Sequence, residues 1–257
     1  MKHLLHTLLS VLIVVSACAC TASAQSVKTY GFKVEESVPH DVASYTQGLF
    51  FHDGELYESA GQYGESSFRK VDLKTGKVLK RLNFEGRYFV EGSCVLNGRL
   101  YILTWQEHEC FVYDLATWNK LGTCRYNGEG WGLTTDGKSL IMSDGTSTIT
   151  YRNPDNFAVE RSLTVTLHGQ KVMYLNELEY IKGEIWANVY GTDQIVRINP
   201  ESGVVTGVVN CKGLLPVSLR KPSTDVLNGI AVDARGNIWL TGKYWPKMYR
   251  ITLVEKK

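Results

Sequence analysis

"YFVEGSCVLNGRLYILTW", Tyr88 to Trp105, sets two runs of β-branched and aromatic residues on either side of Asn97-Gly98. Asn-Gly supplies the positive backbone angles of a tight two-residue turn, so the stretch predicts a β-hairpin. It also places a carboxylate, Glu91, directly after the aromatic run Tyr88-Phe89-Val90, and it ends the returning strand on Trp105. An ordinary two-sided sheet gains nothing from an acid at that position.

The same pattern recurs along the chain. Gly-containing turns stand at Asp53-Gly54, Asn97-Gly98, Asp136-Gly137, Lys182-Gly183 and Arg235-Gly236, followed by "ELYESAG", "RLYILTW", "SLIMSDG", "EIWANVY" and "NIWLTGK". A second strand follows in each case, as in "FRKVDLKTGKV" and "IVRINPESGVV", closing with "MYRITL" near the C-terminus. A period of roughly 40 to 50 residues, with short strands and no helical spacing, is the pattern of propeller blades. The sequence therefore predicts an all-β, five-bladed β-propeller. The first four units carry a fourth strand, whereas the fifth stops at Leu253. The spare stretch "VKTYGFKVEESV", Val27 to Val38, is expected to pair with the last blade and close the ring, removing an open edge. A single β-sandwich is the competing architecture, but five recurrences of the same turn and strand order disfavour it.

Innermost propeller strands aim their ends at a shared axis, so equivalent positions converge. Aligned on their turns, the units open their inner strands with Gln47, Glu91, Trp131, Asn176 and Asn228. They end the next strand with Gly61, Trp105, Asp144, Tyr190 and Lys243. Amides, an acid, indoles and an ammonium would then share one cavity. Burial beside indoles raises a carboxylate's pKa toward the range where it both takes and returns a proton. His40, His52, His108 and His168 fall away from these positions, which disfavours a Ser-His or Cys-His nucleophile and favours proton transfer.

Some of these residues have plainer explanations. Trp186 and Trp239 occupy positions filled by Tyr57 and Tyr101 in other units and are expected in the core between blades. Trp118 is expected to pack on the surface at a turn. Asn228 is expected to tie down backbone, and Asp144, in "SDGTS", to form a turn. Cys110 and Cys124 flank the turn around Thr117 symmetrically. Antiparallel pairing would set them opposite each other, within reach of a disulfide.

The 257 residues are 44% hydrophobic with a net charge of only +2, which is ample for a buried core and excludes a strongly basic nucleic-acid surface. Lys2, the apolar run Leu8 to Val15 and the small residues after it have the order of a secretory leader, assigned to residues 1–24, before a single domain over residues 25–257. Ala22-Ser23-Ala24 suits cleavage before Gln25. Val15-Ser16-Ala17-Cys18 resembles a lipobox in which Cys18 becomes lipidated, and this second exit is preferred. Either way the mature chain is expected outside the cytoplasm, as a periplasmic or membrane-anchored lipoprotein or as a secreted monomer.

Several longer motifs appear in order: "YTQGL", "YESAGQYGES", "VEG", "GEGWGLTTDGKSLIMSDGTS", "LNELEYIKGEIWANVY", "VLNGIA" and "TGKYWPKMY". From about Tyr45 to Leu253 the chain closely resembles the plant and bacterial type of glutaminyl-peptide cyclotransferase. The resemblance implies a five-bladed propeller that needs no metal or other cofactor and converts the N-terminal Gln of a peptide or protein into pyroglutamate with release of ammonia. By matching motif it implies Glu91 as the acid/base, Gln47, Asn176 and Lys243 as polar pocket residues, and Tyr45, Phe89, Trp105 and Trp131 as aromatic walls. Tyr190 stands where a second Trp is common in the family, a departure that bears on substrate preference.

Two other functions compete. In a calcium-dependent propeller lactonase, Glu91, Asn176, Asn228 and Asp144 would be oxygen ligands; Lys243 in the same cavity argues against it, since an ammonium beside a divalent cation is unfavourable. A lipid-anchored propeller that only binds peptides is the non-catalytic alternative.

Overall fold

The computed structural model describes residues 26–256, so the leader, Cys18 and Gln25 lie outside the described residues. The chain is all-β apart from one short 3-10 turn, Val217–Leu219. Its first module is built from strands Thr46–His52, Glu55–Ala60, Ser67–Val71 and Val78–Asn83, in sequence order. The second runs Val90–Leu96, Arg99–Thr104, Glu109–Asp114 and Lys120–Arg125. The third runs Leu133–Thr135, Leu140–Ser143, Thr148–Arg152 and Val159–Thr164.

Thr166–Leu167 and Gln170–Lys171 form a small hairpin, and the remaining strands form one eight-stranded sheet. Half of it is Leu175–Ile181, Glu184–Val189, Gln194–Ile198 and Val205–Asn210. The other half is Leu227–Val232, Ile238–Gly242 and Lys247–Lys256, completed by Lys28–Pro39 from the start of the chain. Lys28–Pro39 runs antiparallel to Lys247–Lys256 along nearly its whole length, as the spare Val27–Val38 stretch led us to expect. The two halves are joined into one sheet by a three-residue parallel pairing, Lys28 to Tyr30 against Gly207 to Val209. The first strands of the modules contact one another in a closed cycle, and Leu227–Val232 comes back against Thr46–His52. The result is a propeller-like ring.

Apolar clusters lie between neighbouring modules. Ile141, Ile149 and Tyr151 of the third module pack with Leu178, Ile185 and Val196 of the next. Trp186 and Trp239, each 3% exposed, belong to such inter-module clusters, and Trp118 packs against the one containing Phe68 and Phe111. Cys110 and Cys124 are direct cross-strand partners, as the symmetric spacing implies, yet both are free thiols. Cys110 is turned into the core, whereas Cys124 is only partly buried against it. A disulfide needs its two Cβ vectors to converge, which a matching register alone does not provide.

The inner strands share a local irregularity that matters for the site. Register shifts fall between Thr46 and Gly48, Val90 and Ser93, Leu175 and Leu178, and Leu227 and Ile230. Each interval contains one of the axis residues, Gln47, Glu91, Asn176 or Asn228. A β-bulge inserts an unpaired residue and turns its side chain out of the alternation, which lets a strand aim a polar group at the axis. The bulges need close backbone approach as well. Gly92 N donates to Trp131 O at 2.7 Å, and a Cβ on Gly92 would collide with Leu133 N. In the fourth module Glu177 stands where all four others have glycine, at Gly48, Gly92, Gly132 and Gly229. Its carboxylate accepts Leu49 N at 3.2 Å and Ile230 N at 2.8 Å, linking three modules at the axis.

Candidate active site

At one end of the ring a cavity of about 220 Å³ is lined by Tyr45, Gln47, Phe89, Glu91, Trp105, Trp131, Asn176, Tyr190 and Lys243. These nine are the site residues expected from the sequence, and they come from all five modules. The bulges deliver Gln47, Glu91 and Asn176. Trp131 precedes its strand, fixed by Trp131 N to Ser143 O at 3.1 Å. Trp105 and Tyr190 follow the second strands of their modules, and Trp105 N donates to Phe89 O at 2.8 Å.

The aromatic residues form an edge-to-face cup. Phe89 meets Trp105 at 5.6 Å and Tyr45 at 6.0 Å between centroids, and Trp131 meets Tyr190 at 5.6 Å. Glu129 fixes the two indoles: its Oε2 accepts Trp105 Nε1 at 2.7 Å and Trp131 Nε1 at 2.9 Å. Burial works to raise the Glu129 pKa, but the hydrogen bonds from Trp131, Gln106 and Trp105 outweigh it and hold the group below the ordinary range. It is therefore a charged clamp at neutral pH.

Glu91 is 4% exposed. Oε1 accepts Gln47 Nε2 at 2.9 Å, and Gln47 Oε1 accepts Asn228 Nδ2 at 3.3 Å. Among the described residues no group donates to Glu91 Oε2. Burial pushes the Glu91 pKa well above the usual carboxylate range; Lys243 pulls it down, while Glu129 and Glu107 push it further up. Burial likewise lowers Lys243 to about 8, against the opposing pull of Glu91 and Asp225. The Lys243 ammonium has no ion pair among the described residues and sits 4.3 Å from the Tyr45 ring centroid and 4.9 Å from that of Tyr190. Asn176 Oδ1 is buried without a partner, and its Nδ2 makes no hydrogen bond among the described residues.

The plainer expectations also have their places. Asn228 Nδ2 holds Thr46 O at 2.9 Å, and Asp144 Oδ1 accepts Thr146 N at 3.0 Å inside its turn. Asp144 opens onto a different cavity, beside Arg152 and His108. The four oxygen ligands of the calcium alternative are thus not gathered at one point. Glu129 occupies the position that Tyr45 and Phe89 hold in their modules, two residues before the axis residue, but nothing in the repeat signals that a carboxylate there clamps both indoles.

An acid and an ammonium desolvated together in an aromatic cup, on a propeller-like ring, have the chemistry of an enzyme site equipped for proton transfer. The chain belongs to the glutamine cyclotransferase family, whose model matches residues 7–253. It is 43% identical over 228 residues to the glutaminyl-peptide cyclotransferase of Arabidopsis thaliana, covering 86% of this chain and 71% of that protein. The crystal structure of Myxococcus xanthus glutaminyl cyclase superposes with a TM-score of 0.84 at 33% identity, over 90% of this chain and 100% of that one.

Proposed function

We propose that this chain cyclises the N-terminal glutamine of peptides and proteins to pyroglutamate, releasing ammonia, on five blades around the cavity axis. Family membership supports the reaction. The observation that carries the assignment of roles is that Glu91 is the only carboxylate lining the cavity, facing two polar groups, Asn176 and Lys243, that have no hydrogen-bond partner among the described residues.

The substrate's α-amine, with an ordinary pKa of about 7.7 to 8.0, is partly neutral at physiological pH. It attacks its own γ-carboxamide carbon, forming the ring C–N bond. The attacking nitrogen then carries one proton too many, and the departing nitrogen lacks one. Glu91 accepts the first proton and returns it to the leaving group, which departs as ammonia when the C–N bond of the amide breaks. A carboxylate whose pKa is lifted by burial suits both halves of that transfer. The reaction is intramolecular, so much of the barrier is met by holding the bent conformer, and the aromatic cup fits the glutamine methylenes. The carbonyl oxygen gains charge during attack. Asn176 and Lys243 are the groups available to bind it, since Gln47 is already committed to Glu91 and Asn228.

The direct test is to incubate purified protein with a short Gln-initiated peptide and follow ammonia release together with loss of ~17 mass units, the stoichiometry that intramolecular cyclisation requires. A peptide beginning with Asn should remain unchanged. We further propose that residues 1–24 direct the protein out of the cytoplasm, with lipidation at Cys18 in preference to cleavage before Gln25. Mass spectrometry of the mature terminus distinguishes the two.

A further inference from the structure

His40 lies outside the cavity, in a buried cluster behind Tyr45. Its Nδ1 is 2.7 Å from Trp245 O and its Nε2 is 2.9 Å from Glu58 Oε1. Both partners are acceptors with no hydrogen of their own to give. A neutral imidazole carries one N–H, so both contacts are hydrogen bonds only when the ring is doubly protonated. The surrounding charges balance that cation. Arg69 pairs with Asp41 at 2.7 Å and approaches Glu58 Oε2 at 3.9 Å, giving two cations and two anions. Burial on its own would lower the His40 pKa, but the charge and hydrogen bond of Glu58 and the Trp245 carbonyl more than reverse this, against Arg69.

The backbone completes the link. His40 N donates to Pro246 O at 3.0 Å, and Tyr244 N donates to Ser44 O at 2.7 Å. Tyr244 takes φ +60, a left-handed turn that a bulky residue holds only when its surroundings fix it. The segment pinned in this way begins immediately after Lys243. Among the described residues the Lys243 ammonium has no partner beyond two tyrosine faces, so its place is set by the backbone that carries it, which pairs with Val226 O and Asp225 N on one side and runs into this turn on the other.

We infer that His40, as an imidazolium bridging Glu58 to the Trp245 carbonyl, is a positioning residue that holds Lys243 in the active site. The inference rests on the proposed role of Lys243. Removing the second ring proton would take the imidazole donor from either the Trp245 carbonyl or Glu58 and so loosen one of the bonds that hold the Tyr244–Pro246 turn.

Two measurements test it. Nitrogen-15 NMR of the His40 ring in the full chain should show both nitrogens protonated at pH 7, where an ordinary imidazole of pKa about 6.5 is mostly neutral. A singly protonated ring at pH 7 would overturn the bridge. His40→Gln retains one donor and should lower kcat by about 10- to 100-fold in the wild-type background. In the Lys243→Ala background it should cost less than about threefold, because residues acting through one another are not additive. Equal losses in both backgrounds would show that His40 acts on stability alone and would end the inference while leaving the site intact. Full activity of Lys243→Ala by itself would instead remove the role of Lys243 on which the inference stands. Should His40→Gln fail to fold, the NMR result on the unmodified protein decides.

Discussion

Gln47 donates to Glu91 at 2.9 Å and is itself held by Asn228, so one carboxylate oxygen is anchored and the other faces the cavity. Glu91→Gln keeps the shape and the Gln47 hydrogen bond while removing the proton carrier. It should lower kcat by roughly 10² to 10⁴ with an unchanged near-ultraviolet circular dichroism spectrum. Asp144→Asn, in a turn outside the cavity, should stay within about twofold of wild type. If Asp144→Asn is the inactive variant instead, the acid/base role belongs to Asp144.

The same substitution should stabilise the protein. A carboxyl whose folded pKa lies above its unfolded value binds more protons folded than unfolded between those two pH values, so its ionisation destabilises the fold as pH rises through that window. At neutral pH Glu91→Gln escapes this penalty, and its melting temperature should exceed that of wild type by about 2 to 4 °C. The gain should vanish below roughly pH 4, where Glu91 is protonated in both states. A lower melting temperature for the variant at pH 7 would contradict the burial argument.

Trp105→Phe deletes one of the two indole N–H groups that Glu129 holds and leaves the acid untouched. Substrate grip should suffer more than proton transfer: an increase in KM of about 3- to 10-fold with kcat within about twofold. A loss confined to kcat would mean that the indole takes part in the chemical step.

Lys243 at about 8 and the substrate amine titrate close together, with opposite effects. Deprotonating the amine creates the nucleophile, whereas deprotonating Lys243 removes the positive charge beside the developing oxyanion. The pH profile of kcat/KM should therefore be bell-shaped with its summit near 8, and Lys243→Met should lose the alkaline limb along with most of the rate. An alkaline limb that persists in Lys243→Met would assign it to another group.

The repeat made the cavity legible. Trp105, Tyr190 and Lys243 occupy equivalent ends of second strands, and Gln47, Glu91 and Asn176 equivalent bulges, so aligning the units on their Gly turns was enough to bring them together. Which side chains bond to one another carried no such signal. Glu129 joins two indoles from a loop, and His40 joins a residue after the first strand to a turn at the far end of the chain. Gln47 could be placed in the pocket from the sequence, but its engagement with Glu91, in place of the substrate carbonyl, depends on where its amide points. The Cys110–Cys124 register was legible for the same reason as the hairpin, while the orientation of each thiol was not.

Lys28–Pro39 is among the first segments of the fold to be synthesised, and its antiparallel partner, Lys247–Lys256, is the last. The early strand must wait without that partner while every intervening module is made, so closure is the contact of longest sequence separation among the described residues. Such contacts slow folding, because the chain loses loop entropy before the pairing returns anything. Nascent chains should accumulate as an open array of modules, vulnerable to proteases and to edge-to-edge association. Resistance to both should appear in a single late step, when the C-terminal strand becomes available.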